Sequence, residues 1–299
     1  MKRFVLTSLV LVFFALPPHA TAASQVKLKY IGSIYTDASG IALRHPAGVT
    51  IKDTQLLVAD SGGRRLLTYS YQDGVAKPGK IFPVPEMFPL MVQQADNGDL
   101  YVLDGRSQQI YVLGASGNIK GKFAPKGMPD SKRMVPRSIK LQADGSLLVL
   151  DIFSERVLVF DRDGNFKRQI SFPAQYGAFS DLCSDKQGTI YLLDSVKAIV
   201  YSVGKTVGEF SPLTEGMKER MNFPTSLVAD NHGRLYLVDK YGSGLAVLGA
   251  DGSFIGRKLG MGWKDGQIYY PSQISLNDNG DLFIADTENH RIQQFNVSE

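Results

Sequence analysis

The chain has 299 residues, 43% of them apolar, a formal net charge of +4 and a single cysteine. That charge is too small to imply a polyanionic partner, and one cysteine excludes an intramolecular disulfide, so apolar burial must hold the fold. Length is a soft guide to domain number, and the internal repeat decides for a single domain over residues 23–299.

At the N-terminus, Lys2 and Arg3 precede an apolar run from Phe4 to Leu16 and then Ala20-Thr21-Ala22. This pattern predicts a secretory signal peptide over residues 1–22 and a periplasmic or extracellular protein. The 13-residue run is shorter than the roughly 20 residues a membrane-spanning helix needs, so no membrane span is expected.

Six times the chain then runs a short apolar strand into an aspartate: Leu57-Val58-Ala59-Asp60, Tyr101-Val102-Leu103-Asp104, Leu148-Val149-Leu150-Asp151, Tyr191-Leu192-Leu193-Asp194, Tyr236-Leu237-Val238-Asp239 and Phe283-Ile284-Ala285-Asp286. The intervals of 44, 47, 43, 45 and 47 residues correspond to one four-stranded propeller blade per repeat. A proline opens most repeats (Pro46, Pro89, Pro136, Pro224 and Pro271), with Phe179 in its place in the fourth. An inner strand such as Ile139-Lys140-Leu141 follows, then a tight turn such as Ala143-Asp144-Gly145-Ser146, in which glycine supplies a positive φ. The second strand ends at the aspartate. A third, such as Val157-Leu158-Val159-Phe160, leads through another turn to an outer strand such as Phe166 to Ile170. The sixth repeat has no outer strand after its third, whereas Val26 to Ile31 has the pattern of one. The prediction is an all-β, six-bladed propeller in which the N-terminal strand completes the last blade and closes the ring.

The motif Asp286-Thr287-Glu288-Asn289-His290-Arg291-Ile292 resembles that of NHL-repeat β-propellers of the secreted bacterial type. The units of that family carry a proline before the inner strand, a Val-Ala-Asp-like end to the second and Asn-x-Arg-Ile before the third. The Asp60/Arg65 and Asp151/Arg156 pairs fit, while Ala198 and Gly244 stand near the arginine's place in the fourth and fifth repeats. The resemblance spans residues 26 to 296 and implies architecture more than activity, because one such fold hosts many functions.

Six copies of one aspartate read as a structural device, accepting backbone N–H bonds and pairing with arginine, rather than as catalysis. The crossings from each outer strand to the next inner strand are long, so one face of the disc is elaborated with loops. Those loops mix aromatics and methionines with Arg133, Lys264 and other cations, a composition typical of interfaces. At the inner-strand entrances, Arg137 and Asp181 are charged where other repeats place neutral residues. The predicted binding face comprises Arg133, Arg137, Asp181, Trp263, Tyr270 and Gln273. Cys183 falls in a predicted inner strand and reads as core packing.

His45, His232 and His290 match in number the protein ligands of many catalytic zinc sites. Peptidyl-amidoglycolate lyases, related propellers, place zinc histidines directly after the inner-strand proline. Here those places hold Ala47, Leu90, Arg137, Ser180, Thr225 and Ser272, so the three histidines are not expected to converge. An acidic and amide cluster of the lactonase calcium type is also missing from the sequence.

The sequence thus favours a non-enzymatic, monomeric secreted propeller that binds an extracytoplasmic protein, with an acidic surface suited to the basic loops, and no nucleic acid. No cofactor is called for. The alternative is a lyase- or hydrolase-type enzyme with a polar site at the channel mouth, or one holding calcium or zinc. In it Arg137 positions an anionic group and Asp181 acts as base or metal ligand.

Overall fold

The computed structural model describes residues 26–129, 134–174, 177–206 and 208–298; the segment read as a signal peptide lies outside them. Six four-stranded antiparallel sheets follow one another around a central channel. Blade 1 runs Pro46–Lys52, Gln55–Asp60, Arg65–Gln72 and Val75–Pro83, from the channel outward. Blade 2 comprises Pro89–Gln94, Leu100–Asp104, Gln109–Leu113 and Ile119–Lys122. Blade 3 is Pro136–Leu141, Leu147–Asp151, Arg156–Phe160 and Phe166–Ser171. In blade 4, Phe179–Ser184, Ile190–Asp194 and Ile199–Val203 end on a short outer strand, Ser211–Pro212. Blade 5 is Pro224–Ala229, Leu235–Asp239, Gly244–Leu248 and Phe254–Lys258. Blade 6 combines Ile274–Leu276, Asp281–Asp286 and Arg291–Ser298 with Lys27–Ile34 from the other end of the chain. This is the predicted six-bladed propeller with its predicted closure.

The second strands are continuous apolar runs because both of their faces are buried. Leu56 and Val58 pack toward blade 6, while Leu57 and Ala59 pack toward blade 2. The same division gives one apolar cluster at each of the six blade junctions. Cys183 is buried at the junction of blades 4 and 5, where burial pushes its thiol well above the usual range, so it serves as packing. The first hairpin turns of blades 2 to 6 carry Gly98, Gly145, Gly188, Gly233 and Gly280 with φ between 78° and 85°, which side-chain-bearing residues rarely adopt.

Every junction between neighbouring inner strands is also tied by a side chain. Thr50 donates to the Val92 carbonyl at 2.8 Å, and Gln93 accepts from the Leu141 amide at 3.3 Å. Ser138 and Ser226 donate to the two oxygens of Asp181 at 2.5 and 2.7 Å. The Ile274 amide donates to Ser226 at 3.4 Å, and the Val49 amide donates to Gln273 Oε1 at 2.8 Å. Inner strands of different blades share no backbone ladder, so this belt satisfies polar groups that would otherwise be buried unpaired.

The N-terminal strand pairs from Lys27 opposite Ser298 to Ile34 opposite Ile292, and Ile34 enters the core between blades 6 and 1. Deleting residues 26–34 bares a long strand edge and uncovers that core. The expected outcome is loss of cooperative thermal unfolding in calorimetry, with aggregation; a sharp transition at the full-length temperature would show that closure is dispensable.

Candidate functional site

Each repeated aspartate lies buried at the end of its second strand and reaches back to the crossing loop that enters its own blade. Asp60 accepts from the Arg44 amide at 2.6 Å, Asp104 from Phe88 at 2.7 Å and Asp151 from Val135 at 3.0 Å. Asp194 accepts from Gly177 at 2.7 Å, Asp239 from Asn222 at 2.9 Å and Asp286 from Tyr269 at 2.7 Å. These bonds pin the loops of the elaborated face around the channel mouth. Arginine neutralises Asp60, Asp151 and Asp286 through Arg65, Arg156 and Arg291 at 2.7, 3.2 and 2.7 Å. In blade 5, where Gly244 stands in the arginine's place, Arg257 from the outer strand reaches Asp239 at 2.7 Å. A Cβ on Gly244 would lie 2.6 Å from the Arg257 Cζ, so the glycine leaves room for the substitute cation.

The mouth is shaped by a β-bulge just after the opening proline, or Phe179, in blades 1 to 5. The bulge turns the next two residues out of simple alternation and presents them along the channel entrance. Arg137 is exposed there and has no hydrogen-bond or ion-pair partner among the described residues. Arg106 and Lys240, on the loops that follow Asp104 and Asp239, likewise have no ionic partner among the described residues. The mouth hydroxyls are committed: Ser180 meets Ser195 at 2.6 Å, Thr225 donates to the Ser272 carbonyl at 3.2 Å, and Ser272 donates to the Ala47 carbonyl at 2.7 Å.

The predicted binding face is therefore only partly assembled. Arg137 and Tyr270 lie at the mouth, and Trp263 is 78% exposed on the crossing between blades 5 and 6. Arg133 lies outside the described residues. Asp181 and Gln273 are corrected to belt members. Asp181 is fully buried, both of its oxygens are occupied, the Leu227 amide adds a third donor at 3.1 Å, and Lys140 stands 3.7 Å away. A carboxylate sealed in this way is not a free base. Gln273 is equally buried, with its Nε2 unpartnered.

The expectation that the three histidines stay apart holds for His232, whose amide donates to Asp230 within its own turn at 2.8 Å, and is corrected for the other two. His45 and His290 do converge, with ring centroids 4.1 Å apart at 75°, across the junction where blade 6 meets blade 1. The His45 amide donates to His290 Nδ1 at 3.0 Å, and His45 Nδ1 lies 3.5 Å from Glu288 Oε1. His45 Nδ1 thus faces a carboxylate and its Nε2 is the ring nitrogen available to accept a proton. Both histidines hold positive φ, 46° and 53°. For His290 this is the turn of the repeat, since Arg64, Gln108, Glu155, Ala198 and Ser243 hold φ of 47° to 54° at the same place in the other blades; for His45, directly before Pro46, it departs from the extended backbone usual before proline. Alongside them runs a chain of touching aromatic rings. Phe223 stacks on Tyr241 at 5.0 Å, Tyr241 meets Tyr270 edge-on at 5.8 Å, and Tyr270 meets Tyr269 at 4.9 Å. The Glu288 amide donates to the Tyr269 carbonyl at 3.3 Å, which joins the aromatic chain to the histidine pair.

An NHL-repeat family model matches residues 268–295, the part of the chain with the full aspartate-to-arginine motif. The chain carries an NHL repeat. No curated protein sequence matches it. Among solved structures it is similar to a gluconolactonase from Xanthomonas campestris, at 16% identity and TM-score 0.66, covering 92% of this chain and 91% of that one. It is also similar to virginiamycin B lyase from Staphylococcus aureus, at 13% identity and TM-score 0.61, covering 91% and 100%. That lyase was solved with quinupristin, in a form made catalytically inactive by replacing one histidine with alanine. A calcium-binding regucalcin from Agrobacterium tumefaciens is similar at 11% identity and TM-score 0.61, covering 85% and 90%. These likenesses establish the propeller fold. They also correct the expectation of a non-enzymatic binding module, since the propellers similar to this chain include a lyase and a gluconolactonase.

Calcium takes six to eight oxygen ligands, several of them carboxylate. At the channel neck the carboxylate is Asp181, already saturated by donors and beside Lys140, so this donor set does not fit calcium. Among the described residues no three His, Cys, Asp or Glu side chains are grouped to hold a metal ion, so zinc has no ligand set either.

Gly244→Ala should displace Arg257 and strand the charge of Asp239, costing about 2 kcal/mol in urea unfolding, while Gly244→Ala combined with Arg257→Ala should cost little more. Equal stability of Gly244→Ala and wild type would refute the substitution of Arg257 for the missing arginine. A pH test follows from Asp104. Burial opposes its charge, but the Ser107 hydroxyl and the Phe88, Ser107 and Arg106 amides outweigh it and hold the carboxyl below its usual range. Its stabilisation is present above the unfolded carboxylate pKa and is lost as pH falls through the lower folded value. Ser107→Ala should therefore move the acid-unfolding midpoint to higher pH, as followed by circular dichroism.

Proposed function

We propose that this protein is an enzyme of the lyase or hydrolase kind, working at the channel mouth on a substrate that carries an anionic group. The observation that carries this reading is the convergence of His45, His290 and Glu288 on the face where Arg137 is unpaired. The fold is one that supports lyase and lactonase chemistry in other propellers.

Arg137 binds the anionic group through paired N–H donors, aided by the cationic surroundings of Arg106 and Lys240. His45 Nε2 accepts the proton whose removal starts bond cleavage. In hydrolysis that proton comes from water as its oxygen attacks the carbonyl carbon, and it is returned to the departing atom. In elimination it comes from carbon, and the leaving group departs with its bonding pair. Glu288 orients the ring and stabilises the imidazolium that forms; His290 fixes the position of the His45 backbone. His45 thus takes the role expected of Asp181 from its charge.

The test is incubation of the purified protein with a set of carboxylate-bearing lactones and esters, followed by mass spectrometry. Any turnover should fall about 100-fold or more in His45→Gln, in keeping with loss of a general base, whereas Arg137→Ala should chiefly raise KM. Turnover that survives both substitutions at the wild-type rate would sink the proposal.

A further inference from the structure

The four linked aromatic rings at the mouth are not core. Tyr241 and Tyr269 are 46% and 39% exposed, and Phe223 and Tyr270 are half-buried. Phe223 and Tyr270 occupy the positions directly before Pro224 and Pro271, with φ of 81° and 46°. The residue before a proline ordinarily adopts extended backbone, so both rings are held at the rim against local preference. The equivalent residues of blades 2 to 4, Phe88, Val135 and Ala178, show no positive φ, so the feature is confined to the sector beside the histidine pair.

The rings' surroundings narrow what they fit. Thr225 and Ser272, the hydroxyls at the inner-strand entrances of blades 5 and 6, donate to main-chain carbonyls of the next blade. With those hydroxyls turned to the main chain, the most exposed contact surface of this sector is the rings of Tyr241 and Tyr269, and a flat ring packs on their faces and edges. By the order of blades around the ring, Arg137 on blade 3 lies across the channel from blade 6, and Lys240 adjoins Tyr241 in sequence. An apolar ring subsite facing unpaired cations suits an aromatic anion.

We infer that the arc of Phe223, Tyr241, Tyr270 and Tyr269 is a binding subsite for a planar aromatic ring, and that the substrate carries an anionic group on or beside that ring. Calling the ligand a substrate rests on the proposed enzymatic reading; the binding itself requires no imidazole chemistry. The probe is 2-naphthoate, titrated into the full chain by isothermal calorimetry. Its saturated counterpart, decalin-2-carboxylate, and the neutral 2-naphthamide serve as comparison ligands.

Saturable binding of 2-naphthoate is expected, weaker for the amide and weaker still for the decalin acid. Tyr241→Ala and Tyr269→Ala should each raise the dissociation constant about five-fold, the size of one ring-on-ring contact. Tyr241→Phe, which keeps the ring, should restore wild-type affinity. Unchanged melting temperature in the alanine variants separates lost contact from lost folding. No saturable binding, equal affinity for the decalin acid, or wild-type affinity in both alanine variants would each overturn the inference. Naphthoate binding alongside turnover that is indifferent to His45 would overturn the enzymatic reading alone. The opposite pattern would overturn the ring subsite alone.

Discussion

Each blade turns on one hydrogen bond, from a main-chain amide just before the inner strand to the aspartate that ends the second strand. A crossing loop in a propeller has no ladder to hold it, and its buried amides need acceptors. The aspartate supplies one at the same place in all six blades, which fixes both where the inner strand enters and how the loop lies on the mouth face. The cost is a buried carboxylate. Blades 1, 3 and 6 offset it with an arginine five residues on, and blade 5 with Arg257 from the outer strand. Blade 4 uses backbone donors, with the Gly177, Ala178, Val196 and Lys197 amides all directed at Asp194.

Because this clasp repeats, the loops it holds are free to differ. A hydroxyl directly after the aspartate carries the tie onward in three blades. Ser61 donates to the Pro89 carbonyl and Ser195 to that of Pro224, both at 2.5 Å, and Thr287 donates to that of Pro46 at 3.0 Å. The loop after one aspartate therefore sits against the entrance of the following blade. That arrangement brings His290, after Asp286, against His45, before Pro46. Stability at the belt and clasp leaves the rim able to hold His45, Phe223 and Tyr270 in backbone conformations they would not choose alone.

Much of this was legible beforehand. The spacing of the aspartates, the prolines and the hairpin glycines each reports a local requirement, and all point to the same blade. The missing outer strand at one terminus and the spare strand at the other made the closure readable too. Charge alone does not mark the site in this chain. Asp181 drew attention because its counterparts are neutral, yet Ser138 and Ser226 in the neighbouring blades were already its partners. The three histidines lie far apart in the sequence, and the signal that pairs His45 with His290 is the contact between one post-aspartate loop and the next inner-strand entrance.

The sequence by itself determined the blades, since strand, turn and clasp are set by residues within one repeat of about 45 positions and by an apolar pattern that only stacked sheets can bury. Which residues meet at the mouth was decided by the tertiary structure. His45 and His290 are 245 residues apart, and they meet because ring closure sets blade 6 against blade 1. Arg257 replaces an absent arginine because the outer strand of blade 5 passes within reach of Asp239. Such contacts cross between strands and blades, and the period that encodes each blade carries no information about them.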